Sequence, residues 1–243
     1  MDPNIIAALV GGIAGLSILG AERGWEYWDK RRERSTEINA RHLNPVRLYC
    51  EETYCRLREI HQQASQQEGR CDILLSVDTV QSISAQKAEW FNSYGAYLVS
   101  TSYFTACLLG AMKKIREDIP YLKLRSGDDT ALLSRTFAVS QAFLSNLGIF
   151  YAIQHSIGTE MWHREESRFL SYREFCQLLM VPEHRVWFDR LFQFYLEVGR
   201  GERQGNILQA QAALRELGLF TDRAAQGNDS IAARLSAEDI GKR

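Results

Sequence analysis

The sequence predicts an all-α protein in which a single N-terminal transmembrane helix precedes a cytoplasmic helical bundle of four to five main helices. Apolar residues recur at three- and four-residue spacings along most of the chain, as they do on the buried faces of helices. Only four prolines interrupt its 243 residues. The expected domains are an anchor with a juxtamembrane collar at 1–34, a bundle at 35–219 and a mobile C-terminal tail at 220–243.

The transmembrane prediction comes from residues 3–21, nineteen consecutive positions without a charged side chain. A helix needs about 20 mainly apolar residues to cross a hydrocarbon core of roughly 30 Å. Only Asp2 precedes this segment, whereas a cluster of Lys and Arg follows it. The positive-inside rule therefore predicts a single-pass membrane protein with its N-terminus outside and its C-terminal domain in the cytoplasm. The alternative is an apolar helix that is buried in an oligomer or lies on the bilayer.

Three groups of residues near this segment have predicted membrane roles. The first is a face of small residues spaced four apart, which lets two transmembrane helices approach closely. The second is an aromatic belt at the membrane interface, and the third is a basic cluster for lipid head groups. In that order the groups are Ala7, Gly11 and Gly15; Trp25, Tyr27 and Trp28; and Lys30, Arg31, Arg32 and Arg34. The expected partners are the bilayer and an unidentified protein, with the chain acting as a homo-oligomer or a membrane-complex subunit.

Composition argues against several classes of function. The net charge of −1 and the isoelectric point near 6.5 provide no electrostatic basis for nucleic-acid binding. Five cysteines, an odd number without C-x-x-C spacing, predict neither a disulfide framework nor a zinc site. Reduced thiols are consistent with a domain that faces the cytoplasm.

Within the bundle, starts and stops of helices are read from caps, prolines and periodicity. Asn44 is the expected N-cap of an amphipathic helix with Pro45 in its first turn and an exit at about 66–70. The later helices are expected at about 84–118, stopped by Pro120; at about 129–165; from a capping box at Ser171 and Glu174; at about 183–198; and from about 207 to a stop near Gly218. Residues 72–82 fit either a short helix or an apolar loop that covers the core.

Two long runs, 90–112 and 136–159, contain no Asp, Glu, Lys or Arg. They could be helices buried nearly all round in the centre of the bundle, or two additional membrane spans. Each run carries several Ser, Thr, Asn or Gln residues, which are costly in lipid but common in a packed helix. We therefore favour buried bundle helices.

The chemistry-bearing residues favour a non-enzymatic function. Glu160 and His163 form one Glu-x-x-His motif, whereas di-iron bundles use two such motifs and two further Glu residues. Glu160 and His163 are therefore weak metal candidates, and no cofactor is expected. The leading hypothesis is a membrane-anchored adaptor or accessory subunit that presents its bundle to a cytosolic or membrane partner. The alternatives are an oligomeric pore or channel subunit gated by the helical domain, and a metal-dependent helical-bundle enzyme.

Overall fold

The computed structural model describes residues 25, 42–122 and 127–224, and this part of the chain folds into α-helices with one short β-hairpin. The helices are α1 (Asn44–Gln66), α2 (Ala88–Phe91), α3 (Ala96–Leu122), α4 (Asp128–Leu144), α5 (Tyr151–Glu160), α6 (Tyr172–Leu179), α7 (Pro182–Arg185), α8 (Asp189–Gly199) and α9 (Gln204–Ala224). Strands β1 (Trp162–His163) and β2 (Arg168–Phe169) pair antiparallel between α5 and α6. The predicted all-α class is confirmed.

The long helices pack as a bundle around α9 and α3. Helix α9 contacts α1 and α4, and α3 contacts α1 and α5. Helix α9 runs antiparallel to α1, because Asp222 near its end pairs with Arg47 near the start of α1. At the other end, the Gln204 amide donates to the Gly69 carbonyl oxygen over 2.7 Å. Helix α9 is therefore held against α1 near both ends of α1.

The start and end of α1 agree with the sequence, but its cap does not. The helix begins at Asn44, has Pro45 in its first turn and ends at Gln66. Leu43 occupies the N-cap position, and the Asn44 side chain makes no capping hydrogen bond. The prediction that Asn44 caps the helix was wrong.

The ambiguous segment after α1 is an apolar loop that covers the core. It contains two 3₁₀ turns, Asp72–Leu74 and Val80–Ala85. Leu74 and Ile83 are completely buried, and the Val80 carbonyl oxygen accepts a 3.0 Å hydrogen bond from Arg185. The segment therefore combines the two sequence-based alternatives, since short 3₁₀ helices lie within a loop that covers the core.

Both long central helices of the prediction are broken. The first is divided into α2 and α3 by a turn in which the Gly95 amide donates to the Trp90 carbonyl oxygen over 2.9 Å. Asn92 and Ser93 in that turn have side chains that favour turns over helix interiors. Pro120 does not stop α3, which continues to Leu122. The second predicted helix is divided by a loop at 145–150 and then by the hairpin.

The C-terminal helices also differ from the prediction in extent. The capping box at Ser171 and Glu174 is confirmed, with both reciprocal hydrogen bonds present. The expected helix at 183–198 is instead α7, a 3₁₀ turn at Val186–Phe188 and α8. Helix α9 continues through Gly218 to Ala224, so the first residues of the expected tail are helical.

Helix α8 is largely enclosed, because every residue from 194 to 199 is buried. Phe192 is also completely buried, and its ring stacks on Phe175 at a centroid distance of 6.4 Å. The uncharged run at 90–112 is buried without interruption from 105 to 112, as favoured from the sequence, whereas the run at 136–159 has several exposed side chains. None of the helices in the ranges described here has the length and apolarity needed to span a bilayer.

Candidate interaction surface

The uncharged run at 136–159 supplies the second half of α4, the loop at 145–150 and most of α5. Four large apolar side chains of this run are exposed: Phe137 by 53 %, Leu147 by 72 %, Phe150 by 48 % and Tyr151 by 39 %. Single exposed apolar residues are normal on protein surfaces. These four, however, belong to 24 consecutive residues without a carboxylate, ammonium or guanidinium group. We call these four residues the uncharged face.

A turn that packs against α5 carries two more exposed apolar side chains. The 3₁₀ turn at Val186–Phe188 lies against α5, and its Val186 and Trp187 side chains are both about half exposed. Exposed apolar side chains that lie near one another can mark interaction sites, and aromatic side chains dominate the energetics of protein interfaces. The arrangement is therefore a candidate surface for binding another macromolecule.

The loop at 145–150 exposes Leu147 through an unusual backbone conformation. Asn146 and Leu147 have φ angles of 54° and 59°, in the left-handed region that residues other than glycine seldom occupy. Gly148 follows, and a Cβ there would lie 2.0 Å from the Phe143 carbonyl oxygen. That carbonyl also accepts a 2.7 Å hydrogen bond from the amide of Ile149. The chain consequently reverses within a few residues and leaves Leu147 at the tip.

Side chains from α8, from the turn after it and from α9 bind the carbonyl groups in and next to this loop. Arg190 donates to the Gly148 carbonyl oxygen over 2.8 Å and to that of Leu147. Arg203 donates to the carbonyl oxygens of Asn146 and Leu147. The Asn206 amide adds 2.8 Å hydrogen bonds to two more carbonyl oxygens, at 142 and 145. The strained conformation is thus stabilised by three polar side chains from α8, the turn that follows it and α9.

Glu197 on α8 fixes the two arginines. Its carboxylate accepts from Arg190 over 3.0 Å and from Arg203 over 2.6 Å, with Gln193 as a third donor at 3.2 Å. Burial raises the pKa of Glu197, but the hydrogen bonds from Arg203, Arg190 and Gln193 together outweigh burial and hold the pKa below its ordinary value. The carboxylate therefore stays ionised at neutral pH, and the charges behind the loop are paired.

Arg116 of α3 reaches under the uncharged face and joins α4 to α5. It donates to the Thr136 carbonyl oxygen over 2.9 Å and to the Ser140 hydroxyl over 2.8 Å. Its guanidinium carbon lies 5.1 Å from the ring centroid of Tyr151, and its Nη1 lies 3.5 Å from Nε2 of His155. Burial, followed by the positive charges of Arg116 and Lys113, lowers the pKa of His155. His155 is consequently neutral at pH 7, and the run remains uncharged in the folded protein.

The two weak metal candidates lie apart in secondary structure. Glu160 is the last residue of α5, and His163 lies on β1, so they do not share one turn of a helix. His163 instead faces Glu166, with 3.8 Å between Nε2 and Oε1. Within the described ranges, no group of three or more His, Cys, Asp and Glu side chains is placed to hold a metal ion. Glu160 and His163 therefore lack the helical arrangement that the Glu-x-x-His motif has in a di-iron bundle.

The cysteines have the surroundings of packing residues. All five are free thiols. Cys50 donates to the Leu214 carbonyl oxygen over 3.0 Å, between α1 and α9. Burial raises the pKa of Cys107, which lies beside Tyr49 and Tyr103, to about 12. Because the thiolate is the reactive form, neither thiol is suited to nucleophilic chemistry at neutral pH.

The predicted membrane residues lie outside the described part of the chain, with one exception. The small-residue face Ala7, Gly11 and Gly15, the basic cluster at 30–34, Tyr27 and Trp28 are not described. Trp25 is helical, with a side chain that is 78 % exposed.

Comparisons with protein-family models, with curated proteins and with solved structures gave no match. Function must therefore be argued from this chain alone. The uncharged run is evident in the sequence, but the sequence does not show which of its residues are exposed. The available signal was Asn146, because asparagine followed by a glycine two positions later is typical of a chain reversal.

Proposed function

We propose that this protein is a membrane-anchored, non-enzymatic adaptor or accessory subunit. Residues 3–21 form its anchor, the N-terminus lies outside, and the helical body lies in the cytoplasm. The body uses the uncharged face to bind an apolar surface of a protein partner. The observation that carries this proposal is the exposure of Phe137, Leu147 and Phe150 on a stretch of 24 residues without charge.

A protein partner fits this surface for two physical reasons. The centres of protein interfaces are depleted in charged residues and enriched in aromatic ones, as the uncharged face and neighbouring Trp187 are. In addition, Arg190, Arg203 and Asn206 hold the loop before a partner arrives. A loop that is already ordered loses little conformational entropy on binding, so more of the contact energy contributes to affinity.

The docking half of the proposal is tested by substituting the face in the full chain. Leu147→Asp removes the apolar tip, and aspartate is among the residues that tolerate a positive φ angle. Leu208→Asp is the matched control, because Leu208 is 48 % exposed but lies on α9 and outside the uncharged face. Proteins cross-linked in native membranes are quantified by mass spectrometry for wild type and both variants.

The expected result is a partner that wild type and Leu208→Asp recover equally and that Leu147→Asp recovers at least about tenfold less, the loss that one hot-spot residue produces. Equal recovery by all three chains would contradict docking through the uncharged face. A Leu147→Asp chain with the helical circular dichroism of wild type excludes misfolding as the cause.

The anchoring half is tested separately by alkaline carbonate extraction. The full chain is expected to remain in the membrane pellet, whereas a chain that starts at Ser35 is expected in the supernatant. Release of the full chain by carbonate would contradict a spanning anchor. Retention of the shortened chain would show that the body itself holds to membranes and would favour a channel or transporter subunit.

A further inference from the structure

A second feature of the fold is a cleft of about 290 Å³ at the crossing of α3 and α5. Gly110 and Gly158 bring the backbones of the two helices into contact there. A Cβ on Gly158 would lie 3.0 Å from Cα of Gly110, so neither position can carry a side chain without moving the helices. The cleft opens beside this contact, and the first residues after α5 form its other wall.

The charged lining of the cleft is mainly basic. Lys113, Lys114 and Arg164 line it together with a single carboxylate, Glu117. Lys113 pairs with Glu117, and Lys114 pairs with Asp118 over 3.3 Å, both at i,i+4 spacing on α3. Glu117 is 56 % exposed, and i,i+4 pairs on a helix contribute less than about 1 kcal/mol each, so a more highly charged anion can replace it.

Arg164 differs from the two lysines because it has no hydrogen bond or ion pair in the part of the chain that the structure describes. Its exposed guanidinium offers five donors at the mouth of the cleft. Lys114 is positioned by Trp162, since its ammonium nitrogen lies 4.6 Å from the centroid of the indole ring. A positive field at this end of α3 also contributes to the lowered pKa of neighbouring His155.

We propose that this cleft binds a phosphate group, with Arg164 as a bidentate donor and Lys113 and Lys114 as flanking positive charges. A guanidinium matches the geometry of two phosphate oxygens, and lysines act as point charges beside it. The group is a phosphate monoester or diphosphate, which carries enough charge to displace Glu117 from Lys113. It can belong to a free small molecule or to a lipid headgroup. This site is independent of the uncharged face and of the proposed adaptor function.

The test is calorimetric titration of the full chain, in neutral-detergent micelles at low ionic strength, with inorganic phosphate and with pyrophosphate. Wild type is expected to bind pyrophosphate more tightly than phosphate. Arg164→Gln is expected to weaken binding by about tenfold, the effect of losing one charge-assisted hydrogen-bonding partner. Glu117→Gln is expected to strengthen it several-fold, because Lys113 is then unpaired.

The matched control is Arg173→Gln on α6, which removes an exposed arginine outside the cleft and should leave binding unchanged. A gain in affinity with Glu117→Gln cannot result from misfolding, so this variant remains informative if another variant folds poorly. The proposal is overturned if wild type binds neither anion at about 10 mM, the weak end of measurable affinity. Equal effects of Arg164→Gln and Arg173→Gln, or no gain with Glu117→Gln, would also overturn it.

A second arm distinguishes the two sources of the phosphate group. Pyrophosphate binding is measured in micelles with and without phosphatidate. Unchanged affinity assigns the site to a free phosphorylated molecule. If phosphatidate competes with pyrophosphate, pyrophosphate binding becomes weaker in its presence. Such competition in Arg173→Gln but not in Arg164→Gln assigns the site to a lipid headgroup.

Discussion

Helix α8 and the run at 136–159 contrast in both sequence and environment. Helix α8 contains charged residues, among them Arg190 and Glu197, yet it is largely enclosed. The run at 136–159 contains no charge, yet Phe137 and Leu147 are more than half exposed. The absence of charge therefore does not by itself identify the centre of this bundle, because the run at 90–112 is buried from 105 to 112 whereas the run at 136–159 is partly exposed.

The contrast follows from how charges are accommodated. Burying a carboxylate is costly unless it is paired and hydrogen-bonded, and Glu197 meets both conditions through Arg190 and Arg203. A surface, in turn, needs no charge to be soluble if its apolar groups are interspersed with neutral polar ones. Placing ionic groups behind the loop and none on it yields a rigid apolar surface.

The largest expected effect comes from truncating a phenylalanine in each region. Phe192→Ala in α8 is expected to lower the free energy of unfolding by about 4 kcal/mol, because it leaves a cavity among packed aromatic rings. Phe137→Ala is expected to cost less than about 1 kcal/mol, since its side chain is 53 % exposed. Urea unfolding of the full chain, followed by circular dichroism, measures both.

The two substitutions, Phe192→Ala and Phe137→Ala, make the same chemical change at a buried and at an exposed position. Equal losses of stability would mean that Phe137 is covered in solution, by a second copy or by another part of the chain. That result would remove the contrast and, with it, the basis for the docking proposal.

An intermediate effect is expected from Glu197→Gln, which leaves Arg190 and Arg203 without their shared counter-charge. We expect a loss of about 2–3 kcal/mol at pH 7, because one partner of a largely buried ionic network is removed. The pKa of Glu197 is lowered by folding, so its ionised form contributes stability above the ordinary value of 4.5. That contribution is lost as the pH falls through the folded-state pKa.

The difference between wild type and Glu197→Gln should therefore shrink between pH 7 and pH values below the ordinary pKa of 4.5. Urea unfolding at several pH values measures it. Glu216→Gln is the control, because Glu216 is an exposed residue of α9. A difference that stays constant with pH would show that Glu197 acts through packing and not through its charge.

The class of fold was predictable because helices of this protein carry regular apolar stripes and local end signals. The end of α1 at Gln66 and the capping box at Ser171 depend on residues adjacent in sequence, so they could be read directly. The break after α4 could not, because the side chains that stabilise it come from Arg190 and Arg203, more than forty positions away. Likewise, Pro120 was a local stop signal, yet α3 continues to Leu122.

The candidate surface was predictable only in part, because exposure also depends on contacts between helices that are distant in sequence. Sequence shows that residues 136–159 lack charge, but not which of them face solvent. That depends on where α9 and α3 cover α4 and α5. The cleft at Gly110 and Gly158 was not predictable at all, since the two glycines meet only after the helices cross.

A smaller effect than that of Glu197→Gln is expected from Arg116→Met, which removes a cation that contacts both α4 and α5. Loss of its hydrogen bonds to Thr136 and Ser140 is expected to cost about 1–2 kcal/mol. The variant should also raise the pKa of His155, because the charge of Arg116 helps to lower it. The pKa should remain below its ordinary value of 6.5, since burial, the largest cause of the shift, is retained.

Proton NMR titration measures this change, with the His155 signal assigned by its absence in His155→Gln. Lys113→Met is the comparison variant, and it should raise the same pKa by a smaller amount because the charge of Lys113 is the lesser of the two. An unchanged pKa in Arg116→Met would place the guanidinium away from the imidazole in solution. The neutral state of His155 would then depend on its burial alone. Helices α4 and α5 would be held together by packing, without the contacts that Arg116 makes to both.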